Sequence, residues 1–513
     1  MISKYVKELK KYTYDELRRI LEPKDNKDLN RIINRLKEYG ILKTVKKSDK
    51  TIDISELSEE EVLCFDEENE NDHKYYYIFK FVGIIIFEGR AIKCYPKYLA
   101  DNLKPEKELK QIIKVLRKYN AKEQNIYIFN NEGENKSKFN RLAAIVFLLS
   151  DFYEYGVYTT DELIFEKNGF GEIQWDKTVA EFYPVFKEGT PIYLDVISRR
   201  TRMDELDYIK RLHECVLTTC SRELQEAGLL DVFDFFEVEL SDENIEDFGE
   251  KEYLLYRICA EKNIQFNTRK QLILDVLEHI VKDEAYLEEK SDISVFGTPS
   301  FNLVWEGICK EVFKNQLKSK RGDIEKDFFP DMVTLSLEEK EETLDKVIEK
   351  PLWKRKSNDG RYQKAFADST LIPDMVCFEK DSDNDVKLYI LDAKYYVPEF
   401  NEDKIEAQPG IESIVKQYMY LFAFMKFITE HKISMGNVYN CFILPKCEDE
   451  MQYEDEVELS IIHNMVEGIS KVNNSIRTES MKIPRIQARY IDPEILYESY
   501  LINKDMRMSE LHL

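Results

Sequence analysis

The chain has 513 residues, 43% apolar and 34% charged, with a formal net charge of −24. That length exceeds one ordinary core and predicts two to four domains. The acidic balance excludes a protein that coats nucleic acid indiscriminately, though not one with a local basic channel.

The opening, MISKYVKELKKYTYDEL, lacks the apolar core of a secretory signal. The longest apolar runs, such as Phe81–Phe87 and Leu142–Leu149, are too short to span a bilayer. Nine cysteines without a C-x-x-C pair suit free thiols in a reducing compartment, so a cytoplasmic protein is expected. Excess acid gathers in Ser58–Asp72, Glu237–Glu252 and Glu448–Glu456, which read as linkers and solvated faces.

In chain order, residues 1–55 read as a winged-helix-like module of three helices and two strands. Thr13-Tyr14-Asp15-Glu16 is a capping box. The next helix opens near Asp25, carries Leu29, Ile32, Ile33 and Leu36 at helical spacing, and stops at Gly40. Ile41–Lys47 and Thr51–Ile54 read as short strands. Arg31 and Arg35, one turn apart, are candidate DNA contacts; surface charges on a protein-binding module are the bland alternative.

Residues 73–190 form a β-rich region. KYYYIFKFVGIIIF, Glu88-Gly89 and RAIKCYPKYL make a hairpin. Glu106–Tyr119 and Arg141–Tyr155 read as helices, and GEIQWDKT (171–178) as a short strand running into a turn. Residues 191–294 are mostly amphipathic helix. His213, Cys215 and Cys220 lack a fourth ligand at finger-like spacing, so a zinc site is disfavoured.

Residues 295–513 alternate helix and strand, the order of an α/β domain with a small mixed sheet. A helix is expected over Leu303–Leu317, strands over Met375–Glu379 and Leu388–Tyr395, a long helix over Ile411–Ile428 and a strand over Val438–Leu444.

The chemistry concentrates here. Pro373-Asp374 is followed, eighteen residues on from Asp374, by Asp392-Ala393-Lys394 at the end of the apolar run LYILDAKYY. Side chains two apart on a strand share a face, so Asp392 and Lys394 stand together and Ala393 points away. If the two strands pair through a turn at Asp381–Asp385, Asp374 and Asp392 come within reach of one ion. Two carboxylates and the Ala393 carbonyl suit Mg²⁺, with Mn²⁺ as an alternative. Such an ion activates water and neutralises a phosphodiester, and Lys394 is placed to assist.

Glu306, in the apolar helix FNLVWEGICKEVF, is a further candidate ligand; pairing with a lysine at a helix edge is its bland alternative. Pro330-Asp331 with Glu338-Glu339-Lys340 is a decoy, too closely spaced for two strands and a turn. A basic, aromatic-studded stretch upstream of Asp374 (Lys350, Trp353, Lys354, Arg355, Lys356, Arg361, Tyr362 and Lys364) suits phosphate contact in an otherwise acidic chain. Lys318, Lys320 and Arg321 extend it. Gln417-Tyr418 is a weaker candidate, because its helix is largely core.

Glu306, Pro373-Asp374, Asp392-Ala393-Lys394 and the helix bearing Gln417 resemble the PD-(D/E)xK nuclease superfamily. FVGIIIFEGRAIKCYPKYL, GEIQWDKT and NLVWEGICKEVF narrow the resemblance to LlaJI-type restriction endonucleases and to McrC, the nuclease subunit of the McrBC system. It covers roughly residues 73–445 and does not reach the first fifty.

The resemblance implies a C-terminal restriction-endonuclease-like α/β core over 295–513. It also implies a double-strand DNA endonuclease of a restriction–modification or phage-defence system, and a McrB-like AAA+ GTPase partner. No G-x-x-x-x-G-K-S/T motif occurs, so any motor is another chain. Homo-oligomerisation is left open. The rival readings are a non-cleaving DNA-binding adaptor and a GTPase-activating scaffold.

Overall fold

The computed structural model describes residues 2–46, 75–100, 105–120, 129–130, 138–159, 161–203, 207–283, 293–330, 335–348, 350–356, 362–401, 404–446, 454–459 and 483–511. It is a mixed α/β protein with several separate sheets. Two compact units are each assembled from separated stretches of chain. One comprises Met1–Ser3, Ile85–Ile92 and Glu123–Phe296; the other comprises Lys4–Ile84, Lys93–Lys122 and Gly297–Leu513.

The first unit is mainly helical. Helices Arg141–Tyr155, Tyr208–Glu226, Lys251–Ile264 and Thr268–Asp283 surround a buried apolar centre. Arg269 clamps the buried Asp151 with two bonds of 2.7 and 2.6 Å, the forked geometry that suits guanidinium and carboxylate. His213 accepts from the Tyr158 N–H at 2.9 Å, and burial depresses its pKa to about 3. The Cys215 thiol points at the Glu243 carbonyl. These residues are core, as the missing fourth ligand suggests. GEIQWDKT differs from expectation: the turn after strand Glu172–Ile173 is a helix, Trp175–Glu181. Thr178 is buried inside it because its hydroxyl receives the Ile197 N–H at 2.9 Å.

The second unit begins at Lys4, within strand Ile2–Lys7, which stands where the first of three helices was expected. Ile2, Tyr5 and Val6 favour extended chain, and the segment just beyond is tied to β-structure: the Glu8 N–H reaches Tyr95 and the Leu9 N–H reaches Phe79, both at 2.9 Å. The next two helices, Tyr14–Leu21 and Asn26–Glu38, follow expectation, with Thr13 and Glu16 closing the capping box and Asp25 accepting from the Asp28 N–H. Leu29, Ile32, Ile33 and Leu36 are all buried. Strand Leu42–Lys46 pairs antiparallel with Tyr75–Phe79; the strand expected over Thr51–Ile54 lies outside the described residues. The turn between strands Val82–Phe87 and Arg90–Tyr95, whose residues Glu88 and Gly89 belong to the first unit, has φ of 45° at Glu88 and 71° at Gly89. Left-handed angles at both central residues match the twist of a tight hairpin.

The main sheet of this unit has five strands. Met375–Lys380 runs antiparallel to Val386–Ala393. Parallel partners Val438–Pro445 and Ile486–Ile491 follow, and Glu454–Val457 closes the far edge antiparallel. Asp381 makes the first turn, its carboxylate accepting from the Asp383 and Asp385 N–H groups. Helix Ile411–Glu430 lies in the chain between the two central parallel strands and packs Tyr418, Leu421, Phe424 and Phe427 against Val376, Phe378, Leu388 and Ile390.

Helix Phe301–Val312 ends five residues before the expected Leu317. Lys314 turns left-handed at φ 50°, and Asn315 leaves the helix to bind the Asp374 carbonyl and the Val376 N–H. The decoy Glu338-Glu339-Lys340 lies in the short helix Leu337–Glu341, while its partner Asp331 is outside the described residues.

Gln417 and Asn440 form a wholly buried polar joint. The Gln417 amide donates to the Ile390 and Cys441 carbonyls and to the Asn440 side-chain oxygen, at 3.1, 3.3 and 2.8 Å. Gln417→Ala, which leaves that oxygen without its donor, is expected to cost about 1–3 kcal/mol. Urea denaturation checks this; a midpoint equal to that of the parent chain would remove the joint from the account.

Candidate active site

The strand register places the two carboxylates. Met375 pairs with Leu391, so Asp374, one step earlier, stands opposite Asp392. The Ala393 N–H donates to Asp374 Oδ2 at 3.2 Å, and Asn315 holds the Asp374 main chain. Asp392 is 3% exposed and contacts Lys394 Nζ at 3.0 Å. Asp374, Asp392 and Lys394 therefore share one face at the strand ends, as the alternation requires.

Helix Phe301–Val312 brings Glu306 to the same place, where Asp374 lies within side-chain hydrogen-bond reach of both Glu306 and Asp392. Lys310, one turn after Glu306, binds the Glu306 carboxylate and also lies 3.6 Å from Asp374. The lysine pairing held as the bland alternative for Glu306 is thus present, within a larger cluster of three carboxylates and two ammonium groups.

The electrostatics follow from crowding. Burial, then Asp392, pushes the Asp374 carboxyl up to about 7. Burial and the neighbouring Asp374 raise Glu306, against the pull of Lys310. Burial disfavours the Lys394 and Lys310 charges, but the surrounding carboxylates outweigh it and both pKa values rise. Tyr420, on helix Ile411–Glu430, is raised to about 12 by burial and by the charges of Asp392, Asp374 and Glu306. Among the described residues no group of three or more His, Cys, Asp or Glu side chains is arranged to hold a metal ion. Lys310 bridges two of the acids instead.

Other candidates are placed elsewhere. Gln417 is locked between strands, and the Tyr418 hydroxyl points to the Val457 carbonyl. Lys354, Arg355, Lys356 and Lys364 form a separate exposed hairpin, Leu352–Lys356 with Tyr362–Phe366; Arg361 lies outside the described residues. Of the extending cations, Lys318 pairs with Asp345, Lys320 with Glu341 and Arg321 with Glu325. Arg31 is exposed and binds Asp28 at 2.6 Å, whereas Arg35, one turn on, is half-buried.

Sequence reasoning missed Lys310, Asn315 and Tyr420 at the site. The spacing of Lys310 four residues after Glu306 was the available signal.

Behind Lys394, the buried Tyr395 is a junction. Its hydroxyl donates to Glu8 at 2.7 Å, and its ring meets those of Tyr98, Phe301 and Trp305. Lys97 Nζ lies 4.8 Å from the Tyr395 ring centre and 5.3 Å from that of Tyr396. Lys97 and Tyr98, within the run FVGIIIFEGRAIKCYPKYL, thus pack against the tyrosines that follow Asp392-Ala393-Lys394.

The model of the LlaJI restriction endonuclease family matches residues 81–344 and 333–493. The chain belongs to that family. A curated relative, the type II restriction enzyme BsuMI component YdjA of Bacillus subtilis (strain 168), is 25% identical over 444 residues, covering 85% of this chain and 83% of the relative. Two solved structures are more loosely similar. A chain of the Thermococcus gammatolerans assembly of McrB AAA+ hexamers with bound McrC aligns at TM-score 0.36 and 13% identity, over 98% of this chain and 99% of that one. A chain of the McrBC complex of the same organism aligns at TM-score 0.22 and 10% identity, over 55% and 79%. No helix among the described residues of this family member is long and apolar enough to cross a membrane.

Because the folded Asp374 carboxyl titrates near 7 and an unfolded one near 4, the native state without metal binds the extra proton. Its contribution is full below pH ~4 and is lost as pH rises through ~7. Metal-free Asp374→Asn is therefore expected to gain thermal stability over the parent chain at pH 8, with the gap closing towards pH 4. Melting curves across that range check it; a gap that widens on acidification would reverse the assignment.

Proposed function

We propose that the chain is a Mg²⁺-dependent double-strand DNA endonuclease of a restriction–modification or phage-defence system. The observation that carries this reading is the pair Asp374 and Asp392, opposed across an antiparallel strand pair with Lys394 beside them. Burial first, and then the opposed Asp392, raise the Asp374 pKa, and a divalent cation between the two carboxylates would relieve their repulsion. Hard oxygen donors of this type suit Mg²⁺ or Mn²⁺. Asp374, Asp392 and the Ala393 carbonyl would hold the ion, with Glu306 as an outer ligand.

When bound, the ion lowers the pKa of water and offsets charge developing on the phosphate. Lys394, kept cationic by Asp392, orients the attacking water or stabilises the phosphorane charge. Asn315 and the Ala393 N–H hold Asp374 at the strand end, so this geometry is built before substrate arrives. Lys310 pairs with Glu306 and lies 3.6 Å from Asp374; with a cation on those acids it would be free to contact phosphate.

The strand ends fit a PD-(D/E)xK core. After the opening strand Ile2–Lys7, the helix–helix–strand–strand order fits a winged-helix variant, with Arg31 exposed and Arg35 half-buried on its second helix. Because the chain has no Walker A motif, a McrB-like AAA+ motor would be a separate partner. The Lys310 bridge favours a second reading, a DNA-binding adaptor that needs no metal; binding that persists in EDTA with no cleavage under any metal would select it.

Asp392→Ala and Lys394→Ala are each expected to lower cleavage about 10²-fold or more while the fold survives. Conversion of supercoiled plasmid with Mg²⁺, with and without a motor partner, measures this. Cutting at the parent rate by either variant refutes the site.

A further inference from the structure

The hairpin Leu352–Lys356/Tyr362–Phe366 stands apart from the other sheets among the described residues. Among the described residues its two strands pair only with each other, and all ten of its residues are exposed, including Trp353 at 72% and Phe366 at 68%. A lone two-stranded hairpin is marginal in water. Its register sets Lys354 directly opposite Lys364, a like-charge pair that destabilises a ribbon. With Lys350 at its base, the described residues of 350–366 carry five cations and no acid, in a chain of net charge −24. Each of these costs is repaid by a polyanion of the right shape.

The two faces differ. Cross-strand partners share a face, so one face carries Lys354, Lys356 and Lys364, flanked by Leu352, Phe366 and Tyr362. The other carries Arg355 beside Gln363, and Trp353 beside Ala365. Lysines act as point charges towards phosphate, whereas Arg and Gln make paired bonds to guanine and adenine edges. A major groove about 12 Å wide admits a two-stranded ribbon. Seven residues, Ala367–Pro373, separate Phe366 from Asp374. The ribbon base is therefore within about 29 Å of the candidate active site, less than one turn of duplex at about 34 Å.

We infer that this ribbon is a duplex-reading arm, with Lys354, Lys356 and Lys364 on the phosphate backbone and Arg355 and Gln363 towards base edges in the major groove. This rests on the nuclease reading, because it takes double-stranded DNA as the substrate, and it adds where sequence is read.

The test measures binding of the full-length chain to a 30-base-pair random-sequence duplex in Ca²⁺, across a salt series. The double variant Lys354→Gln/Lys364→Gln should show a slope of log affinity against log salt shallower by about 1.8, and binding about 30-fold weaker at 0.15 M salt. Lys326→Gln/Lys432→Gln, which removes two exposed charges outside the ribbon, should match the parent chain. Selection from a randomised duplex pool should enrich a motif with the parent chain and lose positions of it with Arg355→Ala or Gln363→Ala. Parent-like slope and affinity in the ribbon lysine variant overturn the arm while leaving the nuclease reading intact. Failure of the parent chain to bind duplex overturns both. Equal loss on single-stranded DNA or on a protein partner, without loss on duplex, overturns the choice of occupant.

Discussion

The arrangement depends on one electrostatic constraint: Asp374 and Asp392 are forced to face each other across a strand pair. The Met375–Leu391 register leaves no other place for them, and the Ala393 N–H ties Asp374 to the same strand end. Like charges so placed are tolerated only if a proton, an ammonium group or a metal intervenes. The first two are at hand in the side chains themselves. Asp374 holds a proton up to about pH 7, and Lys310 and Lys394 supply positive charge from either side. Helix Phe301–Val312, the two strands and helix Ile411–Glu430 each deliver one element of the cluster, so its chemistry is a property of their packing.

That packing reaches towards the N-terminus. Tyr395, next to Lys394 but on the opposite face, is held by Glu8, Lys97, Tyr98, Phe301 and Trp305. Burial raises the Glu8 pKa, and Lys97 and the Tyr395 hydroxyl partly restore its charged form. A buried carboxylate is costly unless every partner is in place. The Pro96-Lys97-Tyr98 segment is thus a structural brace for the strand that carries Asp392 and Lys394, some three hundred residues later in sequence.

Much of this was legible in sequence because it is periodic or local. Alternation set Asp392 and Lys394 on one face, the Asp381–Asp385 turn predicted the hairpin, and the Thr13 box and the Leu29–Leu36 stripe marked helices. Strands Glu454–Val457 and Ile486–Ile491 went unseen: they are short, mix charged residues with apolar ones, and owe their conformation to partners far along the chain. The expected order of three helices put a helix before Thr13, yet Ile2–Lys7 is a strand and contacts just beyond it, to Phe79 and Tyr95, belong to β-structure. The basic stretch before Asp374 was read as charge and not as a ribbon, although the Asp359-Gly360 dipeptide between its two halves is a hairpin-turn signal. Lys310 and Tyr420 entered the site only through tertiary packing.

The central claim is that Asp374 and Asp392 share a divalent cation. Anomalous diffraction from crystals of the full-length chain grown with Mn²⁺ tests it most directly. The account predicts one strong peak between the two carboxylates, with Lys310 drawn away from Asp374. Carboxylates still bridged by Lys310, with no peak at saturating Mn²⁺, would contradict it.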